Sequence, residues 1–525
     1  MNLIKSLEKE ARRRLGYGPV KRSNGALDGY SGALGDLVAE KRKNMSMKWL
    51  STREDSKRYN DEIAKMEPAF NFLNEGLYKE NPGVEELSDY DGFNGGSPLK
   101  WKPFPGAVRA AKKALYSKEI YKYPFISGDL RSRQRVLDYL AREGVDITSD
   151  KIGCENVIFA CSTTHAYYLA LKAVAEPDDV ILMTAPNYGL FAIMTELANY
   201  HLETIDLKEE DDWFVNPKAL AKRIDEINAE LKKKHTGKGR APKVAAFVNI
   251  NPHNPMGNVI SKQNHEILEG IAEVCLEKKV FVIDDLVYRD LTYDLDNLAL
   301  PMISYPKYFD NTISLFGLSK AFGLAGMRAA VIVAPLPVAN LMFMKMHHMM
   351  DSAPTVQVAA IGGTFNGTDC RYKEWRRYLT PIIREYKYRY QLLRALVYGV
   401  DTVSDRRLRA KIRRDISRYA KDYSDELCKG CGDLIKIKVE PQSGFFAVFD
   451  FTAIKGKKTP EGKVIENECD LLSYFFSKGG LRYLMGGNIF WPNPNEFVGR
   501  ISYGIERKNI VSNMQIMHQA IKELK

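Results

Sequence analysis

Between residues 157 and 335 the chain alternates short, continuously apolar runs with longer amphipathic stretches. The runs are VIFACS (157–162), VILMTAP (180–186), VAAFVNINP (244–252), VFVIDDL (280–286), TISLFGLS (312–319) and RAAVIVAP (328–335). Most lack polar alternation and are rich in β-branched residues, the pattern of strands buried on both faces. PKALAKRIDEINAELKKK (217–234) and NHEILEGIAEVCLEKK (264–279) place apolar residues at helical spacing between them. This order predicts an α/β architecture with a mainly parallel sheet flanked by helices. In such sheets ligands gather beyond the carboxyl ends of the strands, so the residues just after each run are the candidates for chemistry.

The pattern changes near residue 370. A long helix, YKEWRRYLTPIIREYKYRYQLLRAL, leads into a charged stretch at 401–433. Strands near 434–452 and 499–505 and a last helix near 507–524 follow, which predicts a smaller α+β domain at 371–525. Residues 121–370 are expected to form the large domain and 93–120 an entrance segment belonging to the small one. Residues 1–92 are polar, with glycine turns and a helical stretch, and read as an added N-terminal extension whose sequence reveals no role.

Composition narrows the class. With 525 residues, 45% of them hydrophobic, the chain can bury a large core and build more than one domain. No apolar run approaches the ~18 residues of a membrane span. The start, MNLIKSLEKEARRRLGYG, lacks the apolar centre of a signal peptide. Seven cysteines, an odd number, point to a reducing compartment, so the expected location is cytoplasmic. Cys428 and Cys431 form a lone C-x-x-C with no second ligand pair, so no metal site is expected. The net charge of +11 raises the question of nucleic acid, and RRLRAKIRR (406–414) is the strongest basic cluster. Acidic residues are interspersed through 401–433 and no binding motif accompanies it, so a solvated helical face is the expectation.

Four strand ends carry polar residues. GLSKAFGLAGMR (317–328) puts Lys320 in a turn directly after a strand, with Arg328 eight residues on. A lysine at a buried strand end can lose its proton and attack a carbonyl. VFVIDDLVY supplies Asp285 and Tyr288, NINPHNPMG supplies Asn254, and ACSTTHAYYLAL supplies Ser162, Thr163 and Thr164 before a helix. Hydroxyl residues at a helix N-terminus make a ready anion site. Each alone has a capping or turn explanation.

In combination they resemble the class I and II aminotransferases, which are fold type I pyridoxal-phosphate enzymes, over roughly residues 93–525. The resemblance rests on the order Asn254 in an NP-x-G turn, Asp285-x-x-Tyr288, Ser319-Lys320 and Arg328. It implies a seven-stranded, mainly parallel sheet and a pyridoxal 5'-phosphate cofactor held by Lys320 as a Schiff base. In its terms Lys320 also shuttles a proton, Asp285 pairs with the ring nitrogen, and Asn254 and Tyr288 bond the ring's phenolic oxygen. Arg328, Ser319 and Ser162–Thr164 bind phosphate, and Tyr188 in TAPNYG stacks on the ring. Tyr123 in YPFISG reaches the cofactor phosphate of the partner subunit. Arg500 in GRISYG grips the substrate carboxylate, with Gly96 in NGGSP and Asn254 nearby.

The implied partners are an L-amino acid and a 2-oxo acid, in a homodimer or larger homo-oligomer, with no nucleic acid and no membrane. The sequence departs from the family at Gly317, where many relatives carry a phosphate-binding serine, and in CSTTH, which lacks the usual glycine. It is also longer, and the extra segments are expected to cover the entrance or build an oligomer contact. The alternative function is a lyase or decarboxylase of amino acids on the same scaffold. A non-catalytic regulator is disfavoured because no helix-turn-helix pattern is present, and a Rossmann dehydrogenase because no G-x-G-x-x-G follows the first strand.

Overall fold

The computed structural model describes residue 69 and residues 72–525, except 89–90, 99–100, 148–150, 238 and 366–367. Most of the N-terminal extension, with its expected helical stretch, lies outside the described residues. Every apolar run named above becomes a strand: β1 (Val157–Ala160), β2 (Val180–Ala185), β4 (Val244–Ile250), β5 (Phe281–Asp285), β6 (Thr312–Gly317) and β7 (Ala330–Val333). One further strand, β3 (His201–Asp206), completes a seven-stranded sheet of order β1-β7-β6-β5-β4-β2-β3. β3 pairs only with β2 and is half-buried along most of its length, so it lacks the continuous apolar run that betrays the others. β7 runs antiparallel to both its neighbours, and the other strands all point one way.

Alternation along the strands builds a core on each face. Ile181, Met183, Ile283, Ile313 and Leu315 pack to one side. Val180, Leu182, Phe247 and Val282 pack to the other. The helix Pro217–Lys234 begins where its sequence requires. The Asn216 side chain accepts from the amides of Lys218 and Ala219, and Pro217 occupies the first turn, where its missing N–H costs nothing.

A second, antiparallel sheet has the order β10-β11-β9-β8, from β8 (Lys436–Ile437), β9 (Phe446–Asp450), β10 (Leu484–Met485) and β11 (Val498–Ser502). The long helix Thr368–Tyr398 precedes it and the helix Arg507–Lys522 follows it. Within the charged stretch the helix Arg406–Tyr419 buries Ile412, Asp415 and Ile416 and turns Arg406, Arg407, Lys411, Arg413 and Arg414 to solvent. It is therefore amphipathic, and Arg507 ties it to the long helix by bonding Asp415 at 3.3 Å and Glu385 at 2.5 Å.

Candidate active site

Parallel strands bring their carboxyl ends to one edge, and the reversed β7 starts at that same edge. The residues there converge for that reason alone. Ser162, Thr163 and Thr164 follow β1, Tyr188 follows β2, and Asn254 follows β4. Asp285 ends β5 with Tyr288 just beyond, Ser319 and Lys320 follow β6, and Arg328 precedes β7. With Gly96 and Arg500 they line one cavity of about 560 Å³, within the ~300–1,000 Å³ usual for small-molecule sites.

Lys320 Nζ donates to the Gly96 carbonyl at 2.6 Å. Burial, then the nearby cations Arg500 and Arg328, push its amine down to about 8, so near neutrality it sheds its proton far more readily than a surface lysine. Burial pushes the Asp285 carboxyl up to about 7, although its Oδ1 accepts the Val287 amide at 3.1 Å. The adjacent Asp284 points to the opposite face of the sheet. There it accepts from Asn249 Nδ2 at 2.8 Å, the Met302 amide at 2.9 Å and Ser314 Oγ at 3.4 Å. Successive strand residues alternate faces, so only Asp285 of the pair serves the cavity. Burial raises the hydroxyls of Tyr188 and Tyr288 above the usual phenol range.

The anion site is built locally. Ser162 Oγ accepts the His165 amide at 3.0 Å and caps a 12-residue helix, Thr163–Val174, whose first turn faces the cavity. Arg328 adopts a left-handed backbone at φ +58°, a conformation most side chains avoid, and its Nη1 donates to the Ala325 carbonyl at 2.9 Å. Gly317 has no room for a side chain. A Cβ there would lie 2.5 Å from Val287 Cγ2 and 2.8 Å from Thr163 Cγ2, so a serine cannot be accommodated without displacing them.

Arg500 comes from the second sheet. It is buried, its guanidinium lies 4.1 Å from the Phe446 ring centroid, and its contacts are long: Asn254 Oδ1 at 3.4 Å and the Asn94 carbonyl at 3.3 Å. Its Nε is buried with no hydrogen-bond partner. A buried donor without an acceptor is costly, and a carboxylate presented to its fork would relieve that.

Thus twelve of the thirteen site residues expected from the sequence line one cavity. Tyr123 does not. It is 86% exposed, next to the exposed Tyr121 and Phe125, and does not line this cavity. Sequence reasoning missed Ser97, Leu190, Ile250, Val287, Ala325, Gly326, Phe446 and Leu484. Leu190 sits two residues past Tyr188 and was within reach of the strand-end rule; Phe446 and Leu484 depend on the register of the second sheet. No residue of 401–433 lines the cavity. No group of residues fit to hold a metal ion occurs among the described residues.

Comparison with known proteins places these observations. The family "Aminotransferase class I and II" matches residues 89–459. An aspartate aminotransferase of Musicola paradisiaca is 26% identical over 202 residues, 38% of this chain and 45% of that protein. The cystathionine beta-lyase PatB of Bacillus subtilis is 28% identical over 233 residues, 44% of this chain and 54% of that protein. The matched stretch thus spans about half the length of these relatives. Among solved structures, the aspartate aminotransferase of Rhizobium meliloti superposes with a TM-score of 0.66 at 18% identity, covering 88% of this chain and 96% of its own.

Proposed function

The chain belongs to the class I and II aminotransferases, and from that premise we propose that it is a pyridoxal-phosphate-dependent enzyme moving the amino group of an L-amino acid to a 2-oxo acid. The observation that carries the reading is Lys320: an amine depressed to about 8, inside a cavity that also holds a buried carboxyl and an anion site.

The residues present fit the cofactor on three counts. Asp285 is a buried carboxyl whose burial outweighs the pull of the nearby Lys320 amine, suited to a protonated ring nitrogen. The hydroxyls of Ser162, Thr163, Thr164 and Ser319, with Arg328, suit a phosphate. Arg500 Nε is a buried donor suited to a carboxylate. When bound, the cofactor supplies an electron-withdrawing ring conjugated to the substrate Cα. The chain does the rest. Asp285 keeps the ring nitrogen protonated, Tyr188 and Tyr288 hold the ring's position, and Arg500 orients the substrate by its carboxylate. Lys320 Nζ would then take the proton from Cα and deliver it two bonds away, to the carbon on the far side of the substrate nitrogen.

Tyr123 and the exposed Tyr116, Tyr121 and Phe125 support an active homodimer, because isolated soluble chains rarely leave such a run of aromatic side chains in water. Tyr123 would then serve the partner's cofactor. Sedimentation of the active enzyme should give a mass of two or more chains; an active monomer would end this reading. No helix among the described residues is long and apolar enough to cross a membrane, and the six described cysteines are free, which supports the cytoplasm.

Elimination is the second reading, favoured by the likeness to a cystathionine beta-lyase. It uses the same lysine, acid and arginine. The two separate by product: incubation of the purified enzyme with amino acids should yield the matching 2-oxo acids and leave the cofactor in its amino form. Release of ammonia with pyruvate would overturn transfer in favour of elimination.

A further inference from the structure

We infer that the amino donor carries an uncharged, apolar side chain, and that Leu190 and Leu484 read it. This rests on the aminotransferase reading above and names its substrate class.

Leu484 on β10 pairs directly with Arg500 on β11, which puts the two side chains side by side on one face of the second sheet. A substrate held by its carboxylate on Arg500 therefore has an aliphatic neighbour built into the same ladder. Leu190 stands in the first turn of the helix Gly189–Leu197, just past Tyr188. It lines the cavity yet is 41% exposed, an apolar surface left in water where a substrate would cover it. Phe446, under the Arg500 guanidinium, extends the apolar wall.

The charges point the same way. Among the described residues the cationic side chains of the wall are Lys320, Arg328 and Arg500. The proposed chemistry engages all three: Lys320 with the Cα proton, Arg328 with the phosphate and Arg500 with the α-carboxylate. A second carboxylate on the substrate would lose water against Leu190 and Leu484 with no further cation among these wall residues in exchange, which a buried charge does not tolerate well.

The test is a set of single half-reactions of the pyridoxal-phosphate-loaded enzyme with leucine, methionine, phenylalanine, aspartate and glutamate. Loss of the bound cofactor's Schiff-base absorbance and formation of the 2-oxo acid would both be followed. The best of the three apolar donors should exceed aspartate and glutamate in kcat/KM by at least about tenfold, the discrimination a few wall contacts can supply. Equal or faster reaction with aspartate or glutamate would overturn the inference while leaving the aminotransferase reading intact. Failure of all five to yield any 2-oxo acid would overturn that reading, and the inference with it. Leu190→Arg, at an exposed position, should raise the glutamate-to-leucine ratio about tenfold; an unchanged ratio in a folded variant would remove Leu190 from the specificity role.

Discussion

Two buried arginines divide this molecule into parts that hold it together and parts that await a ligand. Arg289 directly follows Tyr288 and is bonded at all three nitrogens. Its Nε donates to the Ala299 carbonyl at 3.0 Å, its Nη1 to Tyr139 at 2.6 Å and Asp290 at 3.2 Å, and its Nη2 to Glu143 at 2.5 Å. Burial works against its charge, but Tyr139, Glu143 and Asp290 more than offset it and hold its pKa above the ordinary value. Arg500 is equally buried and has two long contacts and an unpaired Nε, and burial lowers its pKa. Satisfied buried charge is architecture; unsatisfied buried charge is a place kept for something else.

The comparison predicts opposite consequences for activity and stability on its two sides. Lys320→Ala should have the largest effect, a loss of about 10⁴-fold in turnover or more, with the folded state retained. Borohydride reduction of the loaded wild-type enzyme followed by peptide mapping should attach the cofactor mass at Lys320, and labelling elsewhere would refute the assignment. Arg289→Met should come next, now in stability. It leaves Glu143 and Asp290 buried without their cation, at about 3–5 kcal/mol, measurable by urea unfolding. Arg500→Met should do the reverse: kcat/KM falls about 100-fold through loss of a charged hydrogen-bond pair, while unfolding stability holds or rises. If Arg500→Met proved as destabilising as Arg289→Met, the division drawn here would collapse.

The sequence disclosed more of the site than of its surroundings, and the reason is positional. Strand ends in a parallel sheet are where an apolar run stops and polar residues begin, so Asn254, Asp285, Lys320 and Arg328 stand out along the chain as they do in space. β3 did not stand out, since an edge strand with one neighbour is half-wet and carries His201, Glu203 and Asp206. Leu484 enters the cavity through a two-residue strand, too short for any periodicity. The steric need for Gly317 exists only once Val287 and Thr163 are folded against it. The sequence showed the missing serine and not its cause.

The finest test of the comparison lies within one strand, at Asp284 and Asp285. Both carboxyls are raised by burial, to about 6 and about 7. Asp284 accepts three hydrogen bonds, whereas Asp285 Oδ1 takes one, from the Val287 amide. Asp285→Asn keeps that acceptor and removes the buried charge; Asp284→Asn turns an NH₂ group toward donors. Without cofactor, Asp285→Asn should therefore be more stable than wild type at pH 8, and Asp284→Asn less stable by about 1–3 kcal/mol. The sign for Asp285 follows from its raised pKa. The folded state binds its proton more tightly than the unfolded chain, whose value is near 3.8, so wild-type stability is fully present below that value. It is lost as pH rises toward about 7, by at most about 1.4 kcal/mol per pH unit. The advantage of Asp285→Asn in thermal midpoint should thus grow from pH 4 to pH 7 and level off above. With cofactor and substrate the order reverses, since an amide cannot keep the ring nitrogen protonated, and turnover should drop about 10³-fold. An Asp285→Asn protein whose cofactor-free stability tracks wild type at every pH would mean that this carboxyl already has a partner within the chain, and that Asp285 belongs with Arg289, not with Arg500.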